Sequence, residues 1–183
     1  MYEQKIPLSK LKMSLLMLGC AAFVFLGIYI LINGDQMQSR RATNPWLMKV
    51  IAGISIAFFG LILVFLVKKI SDKKDGLLIS SKGIWDNSGP LSVGWIVWED
   101  IKHIRVEKVM SSKFILIEVH NPQKYLNKAT SKFKARVMVA NYKKYGAPIS
   151  ISSNGLRWNF KRVEEAVLKA WKKNQSTTNT LQN

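Results

Sequence analysis

Residues 50–67 read VIAGISIAFFGLILVFLV, eighteen consecutive residues without a charged side chain. As an α-helix this stretch would extend about 27 Å, close to the ~30 Å hydrocarbon core of a bilayer. A second uncharged stretch of twenty residues, MSLLMLGCAAFVFLGIYILI, occupies positions 13–32. A core helix of a soluble protein seldom stays apolar on every face over such a length. The sequence therefore predicts a transmembrane helical hairpin over residues 13–67.

The first apolar stretch is predicted to remain as an anchor rather than to be removed as a signal peptide. It is longer than the usual signal-peptide core of ~7–15 residues, and no small-residue cleavage motif follows it. Lys and Arg resist translocation across a membrane. Eight basic residues flank the outer ends of the two stretches, against three in the connection between them. This asymmetry predicts that both termini lie in the cytoplasm.

The charge is concentrated after the hairpin. The chain of 183 residues has a formal net charge of +17, and residues 68–183 carry 22 of the 28 basic and 9 of the 11 acidic residues. This part is long enough for one small domain with its own core. One cysteine, Cys20, and two histidines leave no intramolecular disulfide and too few ligands for a usual zinc site. No metal or other cofactor is predicted.

Composition divides the remainder of the chain into four segments. They are a short cytoplasmic lead (1–12), a charged tether (68–76), a folded cytoplasmic domain (77–173) and a disordered tail (174–183). The tail is assigned as disordered because it holds a single leucine and no charge.

The folded domain shows the alternation of apolar and polar residues that is typical of β-strands. Seven short runs are separated by turn residues such as Gly, Asn, Pro and Ser. In chain order they are LLIS, GIWD, VGWIVW, IKHIRVEKV, FILIEV, PISIS and LRWNF. The domain is therefore predicted to be of the α+β class with a seven-stranded antiparallel sheet.

Two helices are predicted in the same domain. The first is an insertion from Asn121 to about Lys144, with Asn121 as N-cap and Pro122 at the first helical position. Its apolar positions recur every three or four residues and predict one inward stripe. They are Leu126, Ala129, Phe133, Val137 and Ala140. The second helix is predicted from about Lys161 to Lys173.

One stretch carries a resemblance to a known fold. GWIVWEDIKHI, residues 94–104, is similar to the I-x-W-x-D-I-x-x-I signature of bacterial pleckstrin-homology-like domains. With the opening IPLSKLK, the hairpin and the later ANYKKYGAPISIS, residues 5–165 resemble an uncharacterised family of bacterial two-span membrane proteins. The resemblance implies a seven-stranded barrel with a C-terminal helix, in the bacterial inner membrane. It implies that Trp98 fills the barrel and that Asp100 caps a turn.

The resemblance does not extend to a lipid-binding loop. Pleckstrin-homology domains that hold phosphoinositides use a basic loop between their first two strands. Here that loop is expected to be Ser81-Lys82, which offers a single lysine. A headgroup site at this position is therefore not expected.

The sequence carries no recognisable catalytic motif. It has no G-x-S-x-G elbow and no Gly-rich phosphate loop. His103 and His120 are expected to be partly exposed, neutral side chains on strands. Glu99 and Asp100 are neighbours on a predicted strand and would point to opposite faces. The chain is predicted not to be an enzyme, and a membrane-anchored hydrolase or transferase with an unrecognised site stays as the alternative.

The candidate functional residues are basic side chains of the inserted helix. They are Lys124, Lys128, Lys132, Arg136 and Lys143, of which the first four repeat every fourth residue. Two interpretations remain open, namely a solvated face and a face that contacts anionic lipid. Nucleic acid is disfavoured because no RNA-stacking aromatic motif accompanies the row. The leading prediction is a non-enzymatic, membrane-tethered cytoplasmic module that binds a protein or an anionic lipid partner.

Overall fold

The structure, a computed structural model, describes residues 3–34 and 44–180. It divides into a helical unit, Lys10–Lys73, and a second unit of strands and helices built from residues on both sides of the first. Parts of three predicted segments lie outside the described residues. They are residues 1–2 of the lead, residues 35–43 of the hairpin and residues 181–183 of the tail.

The helical unit consists of α1 (Lys10–Asn33) and α2 (Pro45–Ile70). The side-chain oxygen of Asn44 accepts a hydrogen bond from the Trp46 amide at 3.1 Å and caps the start of α2. Both helices are long and apolar enough to cross a membrane, and only 11% of the residues in the most apolar window of each are buried. A core helix of a soluble domain would be mostly buried. The prediction of two long apolar helices is confirmed.

The two helices pack closely at Gly27. A β-carbon on Gly27 would lie 2.7 Å from Cγ1 of Ile56 and 3.2 Å from the carbonyl oxygen of Ala52. Nearby, the rings of Phe23 and Phe59 stack with centroids 4.4 Å apart. Close approach through a glycine is a common way for membrane helices to associate.

In the second unit, residues 3–9 and 74–180 form seven strands in two antiparallel sheets. The four-stranded sheet has the order β1 (Glu3–Ile6), β2 (Leu77–Ser80), β3 (Gly83–Asp86) and β4 (Gly94–Val97). The three-stranded sheet consists of β5 (Ile101–Val109), β6 (Ser112–Val119) and β7 (Ile149–Ser152). A short 3-10 turn, Trp98–Asp100, connects them. The α+β class is confirmed, whereas a closed seven-stranded barrel is not, since the described strands form two separate sheets.

Strand β1 corrects the prediction that residues 1–12 are only a lead. Residues 3–6 pair antiparallel with β2, and Ile6 lies opposite Leu77 in the core. The domain therefore begins before the helical unit and not at residue 77. Consequently, α1 and α2 are inserted between two neighbouring strands of one sheet.

Strand β1 also takes the place of one predicted strand. The run LRWNF, residues 156–160, forms only an isolated bridge between Leu156 and Leu8. The side-chain oxygen of Asn159 accepts a hydrogen bond from the Arg162 amide at 3.0 Å, which starts a helix at Phe160 instead.

Three helices accompany the sheets: α3 (Pro122–Leu126), α4 (Lys132–Tyr145) and α5 (Phe160–Thr180). Helix α5 extends beyond the predicted end at Lys173. Residues 174–180 are therefore helical, and the prediction of a disordered tail is wrong for them. The amide nitrogen of the Asn174 side chain donates to the Ala170 carbonyl at 2.9 Å within this extension.

One apolar core joins both sheets to α5. All seven strands contribute to it, β2, β5, β6 and β7 with two or more residues each, and α5 contributes Val163, Val167 and Ala170. The predicted core position of Trp98 is confirmed, because the side chain is 8% exposed and its indole Nε1 donates to the Ser80 carbonyl at 2.9 Å. Asp100 does not cap a turn with its side chain, which instead accepts bonds from α3.

Candidate functional site

The predicted inserted helix is two helices. Helix α3 ends at Leu126, and α4 begins at Lys132 after a separate cap, in which the Ser131 hydroxyl accepts a hydrogen bond from the Lys134 amide at 3.2 Å. The basic residues Lys124 and Lys128 therefore do not continue the row of Lys132, Arg136 and Lys143. The predicted single row is wrong, since one continuous helix would be needed to align it.

Lys124 is held by an acidic partner. Its Nζ lies 2.5 Å from Oδ2 of Asp100, and the Tyr125 hydroxyl donates to the same oxygen at 2.6 Å. Burial alone would raise the pKa of Asp100, but these two hydrogen bonds and the charges of Lys124 and Lys128 lower it below its usual value. Burial and the Asp100 carboxylate raise the pKa of Tyr125. This cluster joins α3 to the 3-10 turn.

Lys128 also points toward the protein. Its Nζ donates to the Trp95 carbonyl at 2.7 Å and lies 4.4 Å from the centroid of the Tyr125 ring. Partial burial, followed by the nearby charge of Lys124, lowers the pKa of the Lys128 ammonium. Lys124 and Lys128 therefore act mainly in fixing α3 to the sheet.

A further basic residue of α4 is buried. Lys134 is 8% exposed, and its Nζ donates to the Ser92 carbonyl in the loop after β3. Burial lowers its pKa, against the opposing charge of Asp86. Asp86 is itself buried, and its Oδ1 accepts hydrogen bonds from the amide and the hydroxyl of Ser88. Burial raises the pKa of the Asp86 carboxyl. No sequence pattern predicts this arrangement, because Lys134 lies among other lysines that face solvent.

The residues of α4 that face the protein lie about one position later in the sequence than predicted. The side facing the protein carries Lys134, Met138, Asn141 and Tyr145, spaced by three or four residues. At its end the Arg105 guanidinium donates to the Tyr145 carbonyl and forms ion pairs at 3.0 Å with Glu107 and Glu118. Phe133, predicted to be inward, is instead 73% exposed. The large side chain of Met138 fills the core position.

The opposite side of α4 is basic and partly apolar. Lys132, Arg136, Val139 and Lys143 recur at spacings of four, three and four residues, and all four are exposed. Phe133 lies beside this stripe. We call these five residues the α4 outer face. Of the five candidate residues predicted from the sequence, the structure brings three together here, namely Lys132, Arg136 and Lys143.

The histidines and the possible metal ligands do not form a site in the described residues. His103 and His120 are both exposed, and His103 packs edge-on against Trp171 with ring centroids 5.7 Å apart. Within residues 3–34 and 44–180, no group of three or more His, Cys, Asp or Glu side chains could hold a metal ion.

Comparisons of the chain with protein-family models, with curated proteins and with solved structures found no match.

Proposed function

We propose that this chain is a non-enzymatic, membrane-tethered module whose folded domain contacts an anionic lipid surface through the α4 outer face. The observation that carries the proposal is the outward stripe of Lys132, Arg136 and Lys143 beside an exposed phenylalanine. A basic helix face with an aromatic side chain is typical of helices that lie in the headgroup region.

One loop of the folded domain contacts both α4 and the segment that follows α2. The Asn87 amide donates to the Gly76 carbonyl at 2.9 Å, which ties the loop after β3 to the segment that follows α2. The same loop holds Lys134 through the Ser92 carbonyl. The first turn of α4, with Lys132 and Phe133, is therefore linked by one loop to the chain that leaves the second apolar helix.

The magnitude of the interaction is suited to orienting the domain. Each basic residue near an anionic surface contributes about 1 kcal/mol. Three such residues therefore contribute about 3 kcal/mol. The two apolar helices already provide attachment, so this energy would select one orientation of the domain rather than recruit it.

The fold-level part of the proposal is a pleckstrin-homology-like domain in the bacterial inner membrane. Its support is the order of four strands, three strands and a C-terminal helix, together with the signature over residues 94–104. The first two strands are β1 and β2, so the position of the phosphoinositide loop is occupied by the helical unit itself. Ser81-Lys82 connects β2 to β3 instead.

The buried Asp86 is little support for the alternative that the chain is a membrane-anchored enzyme. A carboxyl with a raised pKa is a common feature of active sites. Asp86, however, is 2% exposed, so a substrate could not reach it without opening the fold.

The proposed topology places both termini in the cytoplasm. Its support is the lysine asymmetry and the pairing of β1 with β2, since strands that flank two membrane crossings can pair only on the same side. In a Cys20→Ala chain, a cysteine at Gln38, between the two apolar stretches, should react with an impermeant thiol reagent in intact cells. A cysteine at the exposed Ser81 should react only after lysis. The reverse labelling would overturn the cytoplasmic assignment.

The lipid contact is tested with the full chain in nanodiscs. A fluorophore at Ala140, an exposed position beside the α4 outer face, should be quenched by spin-labelled lipid more strongly in anionic than in zwitterionic discs. Salt should reduce the difference because it screens exposed charges. Changing Lys132, Arg136 and Lys143 together to Glu should abolish the difference in quenching between the two kinds of disc, with little loss of stability.

A matched control has the same change in charge elsewhere. Changing Lys82, Lys102 and Lys108 to Glu alters three exposed lysines that lie on strands or turns of the two sheets. This variant should keep the quenching of the wild type. Equal loss in both variants, or equal quenching in both kinds of disc, would leave the α4 outer face as a solvated surface.

A further inference from the structure

A second basic site lies at the junction between β7 and α5. A cavity of about 520 Å³ is lined by Pro7, Arg157, Trp158, Asn159 and Arg162. Its volume is within the range of ~300–1,000 Å³ that is usual for sites of small ligands. Two of its five lining side chains are arginines, so the cavity combines a concave shape with positive charge.

The two guanidinium groups lack carboxylate partners. In the part of the chain that the structure describes, neither Arg157 nor Arg162 takes part in an ion pair. Two like charges on one cavity repel each other unless an anion lies between them. The charge of the cavity therefore favours binding of an external anion.

Arg162 is held in a geometry that suits an oxyanion. Its guanidinium carbon lies 3.8 Å from the centroid of the Trp158 ring. Stacking uses the face of the guanidinium plane, so the N–H donors on its edge remain available. A phosphate accepts such donors in pairs, which is the reason that arginine is favoured over lysine in these sites.

A short chain segment connects this cavity to the start of α1. Arg157 donates its amide to the Pro7 carbonyl at 2.9 Å, and the Ser9 amide donates to the Gly155 carbonyl at 2.9 Å. Helix α1 begins at Lys10, and its uncharged stretch begins at Met13. Three extended and three helical residues reach at most about 15 Å. The headgroup layer on each side of a bilayer is about 5–8 Å thick, so a phosphate in that layer is within reach of an arginine side chain.

We propose that Arg157, Trp158 and Arg162 form a binding site for the phosphate group of an anionic phospholipid. This inference rests on the membrane tether of the proposed function but not on the α4 outer face. The shared chemistry of the ligand is a phosphate, which could also come from solution. The short chain connection to the apolar helix favours the lipid, whose acyl chains occupy the adjacent bilayer.

The test uses the purified full chain in detergent micelles that contain phosphatidylglycerol or phosphatidylcholine. Native mass spectrometry should find phosphatidylglycerol retained by the wild type, and the Arg157→Gln/Arg162→Gln variant should bind it at least about tenfold more weakly, since two charge-assisted contacts are lost. A Lys169→Gln/Lys172→Gln variant removes two exposed charges from the same helix and should retain the lipid. Equal retention in the two double variants would overturn the site.

Two further experiments distinguish a lipid phosphate from free phosphate, and the arginine site from the α4 outer face. Inorganic phosphate added to the micelles should not displace phosphatidylglycerol, because the acyl chains hold the lipid in place. Displacement at low phosphate concentration would assign the site to a free anion and overturn the lipid source. The variant with Lys132, Arg136 and Lys143 changed to Glu should keep the bound lipid, so a failure of the α4 contact and a failure of this site give different results.

Discussion

Removal of residues 1–9 should prevent the domain from folding stably. A fragment of residues 74–183 lacks β1, and with it Ile6, whose side chain is fully buried. Truncating a buried isoleucine costs about 2–5 kcal/mol. The fragment also loses the strand pairing with β2 and the backbone bonds between residues 7–9 and 155–157. Small domains have a total stability of about 5–15 kcal/mol, so most of it would be lost.

A linked chain provides the control for this prediction. Residues 1–9 joined to residues 74–183 by a flexible Gly/Ser linker should give a folded domain without the apolar helices. Urea unfolding followed by circular dichroism should show a cooperative transition for the linked chain and none, or a far weaker one, for the fragment. Within the linked chain, Ile6→Ala should destabilise by about 2–5 kcal/mol. Lys5→Ala, on an exposed neighbour in the same strand, should have little effect. A fragment as stable as the linked chain would contradict the role of β1.

Trp98→Ala should also destabilise the linked domain strongly. The change removes a large buried ring and should cost about 3–5 kcal/mol in the free energy of unfolding. Trp98→Phe keeps most of the ring but loses the Nε1 bond to the Ser80 carbonyl. The cost of Trp98→Phe should be smaller, at about 1–3 kcal/mol or less, because a partly buried acceptor is left without its donor.

Trp95 offers a matched control three positions away. Its ring is 37% exposed and packs edge-on against Trp85 at a centroid distance of 5.6 Å. Trp95→Ala should lose mainly this aromatic pair, which is worth about 0.5–1.5 kcal/mol. Equal effects of the two tryptophan changes on urea unfolding would show that Trp98 is not a core residue.

The parts of the fold that could be predicted are those that depend on local patterns. The two apolar helices follow from uninterrupted runs of apolar residues, which need no knowledge of distant contacts. Five of the seven observed strands fall within predicted runs for the same reason, and β6 overlaps one but begins two residues earlier, at Ser112. Strand β1 could not be found in this way, because EQKI contains one apolar residue and its partner β2 lies about seventy residues later in the chain.

Only part of the candidate site could be predicted, because the sequence analysis placed no helix boundary before α4. Ser131 could have been recognised as an N-cap, since serine at that position accepts from the amide three residues later. With the helix starting at Lys132, the row from Lys124 would have been divided. The inward position of Lys134 could not be inferred from spacing alone. It depends on the Ser92 carbonyl, which only the folded loop after β3 brings within reach.

The insertion of α1 and α2 between β1 and β2 has a consequence for biosynthesis. At about 5–20 residues per second, β1 leaves the ribosome roughly 4–14 s before its partner β2. For the proposed topology, both crossings must be completed before the two strands can meet. A nascent chain that inserted only one helix would leave β1 and β2 in different compartments, with Leu77 and Ile79 of β2 lacking their neighbour. In that topology, folding of the domain would depend on correct insertion of both helices, and a wrongly inserted chain would expose an unpaired strand to cellular proteases.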